Sequence, residues 1–251
     1  MVNSPLLYYI TDRAAFPGDE RTRRMRLLDK IAEAASHGVD YVQLREKDLP
    51  VRDLESLAGE AMSIINQLRT ENPERRKDRG KQRRTALLIN SRTDVAMAVA
   101  ANGVHLPAAD VSPEEVRAAW KCGAGVSFDM LRAGSARELS PHDPLIAVSC
   151  HSLQEVFQAA ANHATFAVFA PVFEKKDFEK KVFGKKDSPA TRPAGLDALR
   201  EACRAEIPVL ALGGVTLQNA EPCLRAGAAG IAAIRLFQES DIATIVRELR
   251  G

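Results

Sequence analysis

The chain has few cysteines, almost no excess charge and no long apolar run. Its four cysteines, Cys122, Cys150, Cys203 and Cys223, lie far apart and form no C-x-x-C pair. They are too few for a disulfide framework in 251 residues, so the expected compartment is reducing. Lysine and arginine total 35 against 33 aspartates and glutamates, a net charge of +2. A surface that binds nucleic acid or an acidic membrane needs a concentrated positive field, which this balance does not supply. The strongly charged stretch at 70–84 (TENPERRKDRGKQRR) has no aromatics between its basic residues and carries acids that dilute it, so it reads as a solvated loop. No stretch is long and apolar enough to span a bilayer. The start, Met1-Val2-Asn3-Ser4, enters a five-residue apolar strand without the basic opening and long core of a secretory signal. The expected location is the cytoplasm and the expected partner a small molecule. Association between copies of the chain is left open.

What is present is a rhythm. Apolar runs at Leu6 to Ile10, Val39 to Leu44, Thr85 to Ile89, Gly103 to Leu106, Leu145 to Val148, Thr165 to Ala170, Ile207 to Leu212 and Gly230 to Ile234 each stop at polar residues suited to phosphate or proton chemistry. These are Thr11 and Asp12, Arg45 and Lys47, Asn90, Asp110, Ser149 and His151, Glu174 to Lys176, Gly213 and Gly214, and Arg235. Helical periodicity follows each run, at about Arg21 to His37, Leu49 to Leu68, Thr93 to Ala101, Pro113 to Trp120, Ser152 to Asn162, Gly195 to Arg204, Leu217 to Ala226 and Asp241 to Leu249. Ser112 with Glu115 and Ser152 with Glu155 have the spacing of capping boxes, and Gly38 and Gly227 that of C-terminal caps. The pattern predicts an α/β fold, a single (β/α)8 TIM barrel over 1–251, close to the typical length of about 250 residues. All strand ends of such a barrel open on one face, so residues scattered along the chain converge. Segments 70–84, 121–144 and 174–194 are longer than the barrel needs. The last follows a strand, and its six lysines at 175, 176, 180, 181, 185 and 186 make it a candidate lid.

Alternation puts Gln43, Arg45 and Lys47 on one side of the second strand end. A planar guanidinium beside a compact ammonium suits a polyphosphate, although both could equally pair with Glu46, Asp48 or other surface acids. Asp110, just before a helix, can hold a hard cation such as Mg2+ or serve as a cap. The Gly213-Gly214 turn lets backbone amides reach an anion, or simply supplies glycine dihedrals. Ser149 and His151 are placed for diphosphate binding and proton transfer, or for capping the next helix.

The stretches YVQLREKD (41–48), LINSRTDVA (88–96), GVHL (103–106) with Asp110, VSCHS (148–152), FAPVF (169–173), and ALGGV (211–215) with AGAAGI (226–231) occur in one order over nearly the whole chain. Together they resemble the thiamine phosphate synthase and thiazole tautomerase family of barrels. The resemblance implies a transferase that joins hydroxymethylpyrimidine diphosphate to thiazole phosphate, releasing diphosphate and making thiamine phosphate. It implies that Gln43, Arg45, Glu46, Lys47, Asn90 and Ser149 hold the pyrimidine diphosphate. Asp110 would bind Mg2+, with Ser91 at the position of the family's second metal-binding aspartate. Gly213, Gly214, Ile234 and Arg235 would hold the thiazole phosphate, and Lys47 and His151 are the implied catalytic pair. Besides Ser91, a second departure is Glu174-Lys175-Lys176-Asp177-Phe178, where the synthases carry Pro-Thr-x-Thr-Lys. His151 and Val172-Phe173-Glu174 look closer to the tautomerase branch, which isomerises a thiazole carboxylate phosphate without metal or diphosphate. A barrel that binds a phosphorylated ligand without turnover is the third reading.

Overall fold

Eight strands pair in parallel in sequence order, and the last returns to the first to close a barrel. They are β1 (Leu6–Ile10), β2 (Tyr41–Leu44), β3 (Ala86–Asn90), β4 (Gly103–Leu106), β5 (Leu145–Cys150), β6 (Phe166–Phe169), β7 (Val209–Ala211) and β8 (Gly230–Ala233). The helices are α1 (Glu20–Ser36), α2 (Val51–Glu71), α3 (Thr93–Ala98), α4 (Pro113–Gly123), α5 (Leu153–Ala161), α6 (Gly195–Ala202), α7 (Leu217–Arg225), α8 (Arg235–Glu239) and α9 (Ile242–Arg250). The computed structural model describes residues 4–71, 84–108, 110–123, 143–174 and 192–251. Most of the lid expected at 174–194 and of the segments 70–84 and 121–144 lies outside the described residues. The fold is the expected (β/α)8 barrel.

Alternation sorts the strand side chains into two cores. Tyr8, Ile10, Ala86, Leu88, Ala147, Phe166, Val168, Leu210 and Ala232 fill the barrel. Their strand neighbours, among them Leu7, Tyr9, Val42, Leu44, Leu87, Val104 and Ile146, pack in the larger core with helical residues such as Leu27, Ile31 and Leu57. Strands buried on both faces read as unbroken apolar runs, which is why they stand out in the sequence. Inside the barrel Tyr41 stacks on Phe166 with ring centroids 4.8 Å apart, and Tyr8 meets Phe166 edge-on at 5.5 Å. Toward the strand ends the inward positions turn polar, at Gln43, Asn90, His105 and Ser149. The floor of the site is therefore apolar and its walls are polar.

Both expected capping boxes form, at Ser112 with Glu115 and at Ser152 with Glu155. Gly38 and Gly227 take positive φ just after helix ends, as their spacing predicts. Three details differ. Strand β5 runs to Cys150, which draws Ser149 into the sheet; a 3-10 turn occupies Arg13–Ala15; and Arg235, read only as a ligand, opens α8. At the opposite face of the barrel, Arg250 of α9 donates to the carbonyls of Pro5 (3.2 Å) and Gly38 (2.7 Å) and pairs with Asp40. Asp40 in turn accepts the Leu7 amide at 2.7 Å, so the last helix is tied to the first two strands.

Candidate active site

The chain that carries Arg45 and Lys47, just past the end of β2, is held by a latch of neighbouring side chains. Thr11 Oγ1 donates to Glu46 Oε1 at 2.5 Å and accepts the Arg45 amide at 2.9 Å. Arg13 completes the latch. Its amide donates to Glu46 Oε2 at 3.0 Å, while its guanidinium reaches Glu46 (3.2 Å), Glu20 (2.6 Å) and Asp48 (2.7 and 2.8 Å). The hydrogen bond and charge of Asp48 do most to raise the Arg13 pKa, and Glu20 and Glu46 add to it, so the guanidinium stays charged. The Glu46 side chain, grouped by its motif with the diphosphate ligands, is 2% exposed and engaged with Arg13.

The charge of Arg45, with a smaller contribution from burial, lowers the pKa of Lys47. Gln43 Nε2 donates to Asn90 Oδ1 at 2.8 Å, and Asn90 Nδ2 donates to Ser91 Oγ at 3.2 Å. Parallel register sets Asn90 beside His105. His105 is 2% exposed and bridges two hydroxyls, with Tyr8 OH 2.9 Å from Nδ1 and Ser149 Oγ 2.6 Å from Nε2. Burial, reinforced by the Arg45 charge, pushes its pKa down to about 3, so the ring is neutral in ordinary buffers. A cavity of about 330 Å³ past the ends of β2 and β3 has Leu44, Glu46, Lys47, Asn90, Ser91 and Arg92 in its lining.

His151 stands at the rim, where its Nδ1 donates to the Ala170 carbonyl at 2.7 Å and leaves Nε2 for other partners. Asp110 is exposed and accepts the Val111 amide at 2.9 Å. Among the described residues no three His, Cys, Asp or Glu side chains cluster to hold a metal. On the far side the segment after β6 extends the pairing with β7: the Val172 and Phe173 amides donate to the carbonyls of Leu212 and Gly213 at 2.9 and 3.0 Å. Gly213 and Gly214 have φ of 95° and 64°. A Cβ on Gly213 would lie 2.7 Å from Pro171 Cα, and one on Gly214 2.5 Å from the Glu174 carbonyl oxygen. The dihedral reading of this turn therefore has a steric basis, and its role for an anion rests on backbone amides alone. Ile234, next door after β8, packs against the inner core, while Arg235 is exposed.

Tyr8, His105 and Arg13 carry no mark in the sequence as site residues. The signal available for His105 is its place in strand alternation, between Val104 and Leu106 of the outer core.

The model of the thiamine monophosphate synthase family matches residues 7–130 and 122–237. The chain belongs to this family. It is 33% identical over 246 residues to the thiamine-phosphate synthase of Methanoculleus marisnigri, covering 97% of this chain and 93% of that one. Against the thiamine-phosphate synthase of Roseiflexus castenholzii identity is 32% over 231 residues, covering 91% and 79%. The thiamine phosphate pyrophosphorylase structure from Pyrococcus furiosus superposes with a TM-score of 0.67 and 25% identity over 99% of this chain and 95% of that one. A 3-hexulose-6-phosphate synthase, at TM-score 0.53 and 15% identity, shares the fold alone. As a member of the thiamine monophosphate synthase family the chain is a transferase of thiamine biosynthesis. Among the described residues no helix is long and apolar enough to cross a membrane.

Proposed function

We propose that this family member joins hydroxymethylpyrimidine diphosphate to thiazole phosphate at the polar mouth of its barrel. The carbon–oxygen bond between the pyrimidine methylene and diphosphate breaks, and its electron pair leaves with the diphosphate. The thiazole nitrogen lone pair then forms the new carbon–nitrogen bond. The reading is supported by the Thr11–Glu46–Arg13 latch, which fixes the backbone of the strand end that bears Arg45 and Lys47. Fixed cations at the position where charge develops on a leaving group lower the barrier without reorganising as the bond breaks. Lys47 and Arg45 serve the leaving diphosphate, with Gln43, Asn90 and Ser149 as its neutral partners. The Gly213 and Gly214 amides, with the backbone at 234–235, receive the thiazole phosphate on the opposite wall.

Asp110 and the Ser91 hydroxyl are the oxygen donors that would hold Mg2+, and substrate phosphates would complete its shell. Bound there, the ion would neutralise charge on the leaving diphosphate. Serine at 91 in place of the family's aspartate leaves one protein carboxylate for this task. A cytoplasmic location accompanies the reading, supported by four cysteines that all remain free thiols.

The anchored His151, with Nε2 available at the rim, favours a second reading in which a proton is moved on a thiazole carboxylate phosphate. Assays with both substrate sets separate the two. We expect thiamine phosphate formation that stops in EDTA and returns with Mg2+; isomerisation alone, unaffected by EDTA, would establish the second reading. Arg45→Ala should weaken pyrimidine diphosphate binding by roughly 2–4 kcal/mol in calorimetry, the cost of deleting a charge-assisted partner.

A further inference from the structure

The hydroxyl of Ser149 has a direction that the residues behind it impose. Tyr8 is fully buried, and among the described residues its phenol finds one hydrogen-bond partner, His105 Nδ1. Burial raises the Tyr8 pKa well above its ordinary value, so the phenol keeps its proton. That proton must go to Nδ1, since a buried donor without an acceptor costs roughly 1–3 kcal/mol. A neutral imidazole carries one hydrogen, and with Nδ1 accepting it resides on Nε2. Nε2 therefore donates to Ser149 Oγ across 2.6 Å, which leaves the serine hydrogen for a group in the barrel mouth. The opposite polarity would have Ser149 donate inward and present a lone pair to the mouth.

We propose that Tyr8 and His105 are positioning residues that hold Ser149 as a hydrogen-bond donor toward the diphosphate. The inference rests on the reading above, in which Ser149 meets that group. Diphosphate oxygens only accept hydrogen bonds, so an inward-donating serine would set oxygen lone pairs against an anion. An imidazolium would donate at both nitrogens and leave the buried phenol's hydrogen without an acceptor, so the Tyr8 contact itself selects the neutral ring whose one hydrogen is on Nε2.

Two measurements test this. Long-range proton–nitrogen NMR on 15N-histidine protein should show His105 as the Nε2–H tautomer in the free protein; the Nδ1–H form would overturn the proposal. Tyr8→Phe keeps the ring that packs on Phe166 and removes only the hydrogen that dictates the tautomer. It should populate both tautomers and weaken pyrimidine diphosphate binding about twofold, as when roughly half of the molecules present the outward-donating serine. In a Ser149→Ala background the same change should have no further effect. Independent effects of Tyr8→Phe and Ser149→Ala, or a Tyr8→Phe protein with unchanged tautomer and affinity, would overturn the proposal. If the wild-type protein does not bind pyrimidine diphosphate, the functional reading fails, whereas the tautomer spectrum still decides the polarity of the relay.

Discussion

At the scale of single residues, strand alternation carries most of the information about the site. Within β2, period two sends Val42 and Leu44 to the outer core and Gln43 to the inner face beside Asn90, and past the strand end Glu46 is held by Arg13. His105 was illegible: a lone histidine in an apolar run acquires meaning only when register sets it beside Asn90 and below Ser149. Its buried neutrality has a measurable consequence. Unfolded, the ring takes a proton near its ordinary value of 6.5; folded, it does so near 3. Between these values the unfolded chain binds a proton that the native state does not, so stability falls as pH drops through the window. From pH 7 to pH 5, above the range where most carboxylates titrate, the loss should be about 2 kcal/mol. Urea unfolding at the two pH values should show it in the wild type and a flatter dependence in His105→Asn; equal slopes would mean that native His105 protonates normally.

At the scale of elements, the strands and most helices were legible because each has its own period and caps. Short pieces were not. Helix α8 has five residues and the Arg13–Ala15 turn three, too few to establish a helical period. The partners of Arg13 lie 7 to 35 positions away, so nothing local announces that it joins the segments after β1 and β2. Arg13→Lys tests this junction. It keeps the charge that Glu46 needs but loses the planar fork, so Glu46 and Asp48 can no longer be held at once. The KM for pyrimidine diphosphate should rise about tenfold while the KM for thiazole phosphate, received on the opposite wall, stays within about twofold, as expected for one misplaced anchor. Steady-state kinetics with each substrate varied in turn would reveal an equal rise in both, which would assign Arg13 to general stability instead.

At the scale of the whole molecule, the barrel separates a face that does chemistry from one that holds the ring shut. The Arg250 side chain is 19% exposed and that of Asp40 2%, so their pairing is largely shielded from solvent. Arg250→Ala would leave Asp40 charged and buried, at a cost of about 3 kcal/mol and a fall in Tm of roughly 6–12 °C. Thermal melts should record that fall, and kcat at 25 °C should be unchanged because the mouth lies at the other end of the strands. A lower kcat with normal Tm would contradict this division. The contact of Arg250 with Pro5 also brings the two ends of the described barrel together on the face away from the mouth. A barrel closed in this way has no geometrically privileged first strand. Bridging residues 5 and 250 with a short peptide and opening the chain on the outer side of another helix would give a permuted polypeptide that encloses the same mouth.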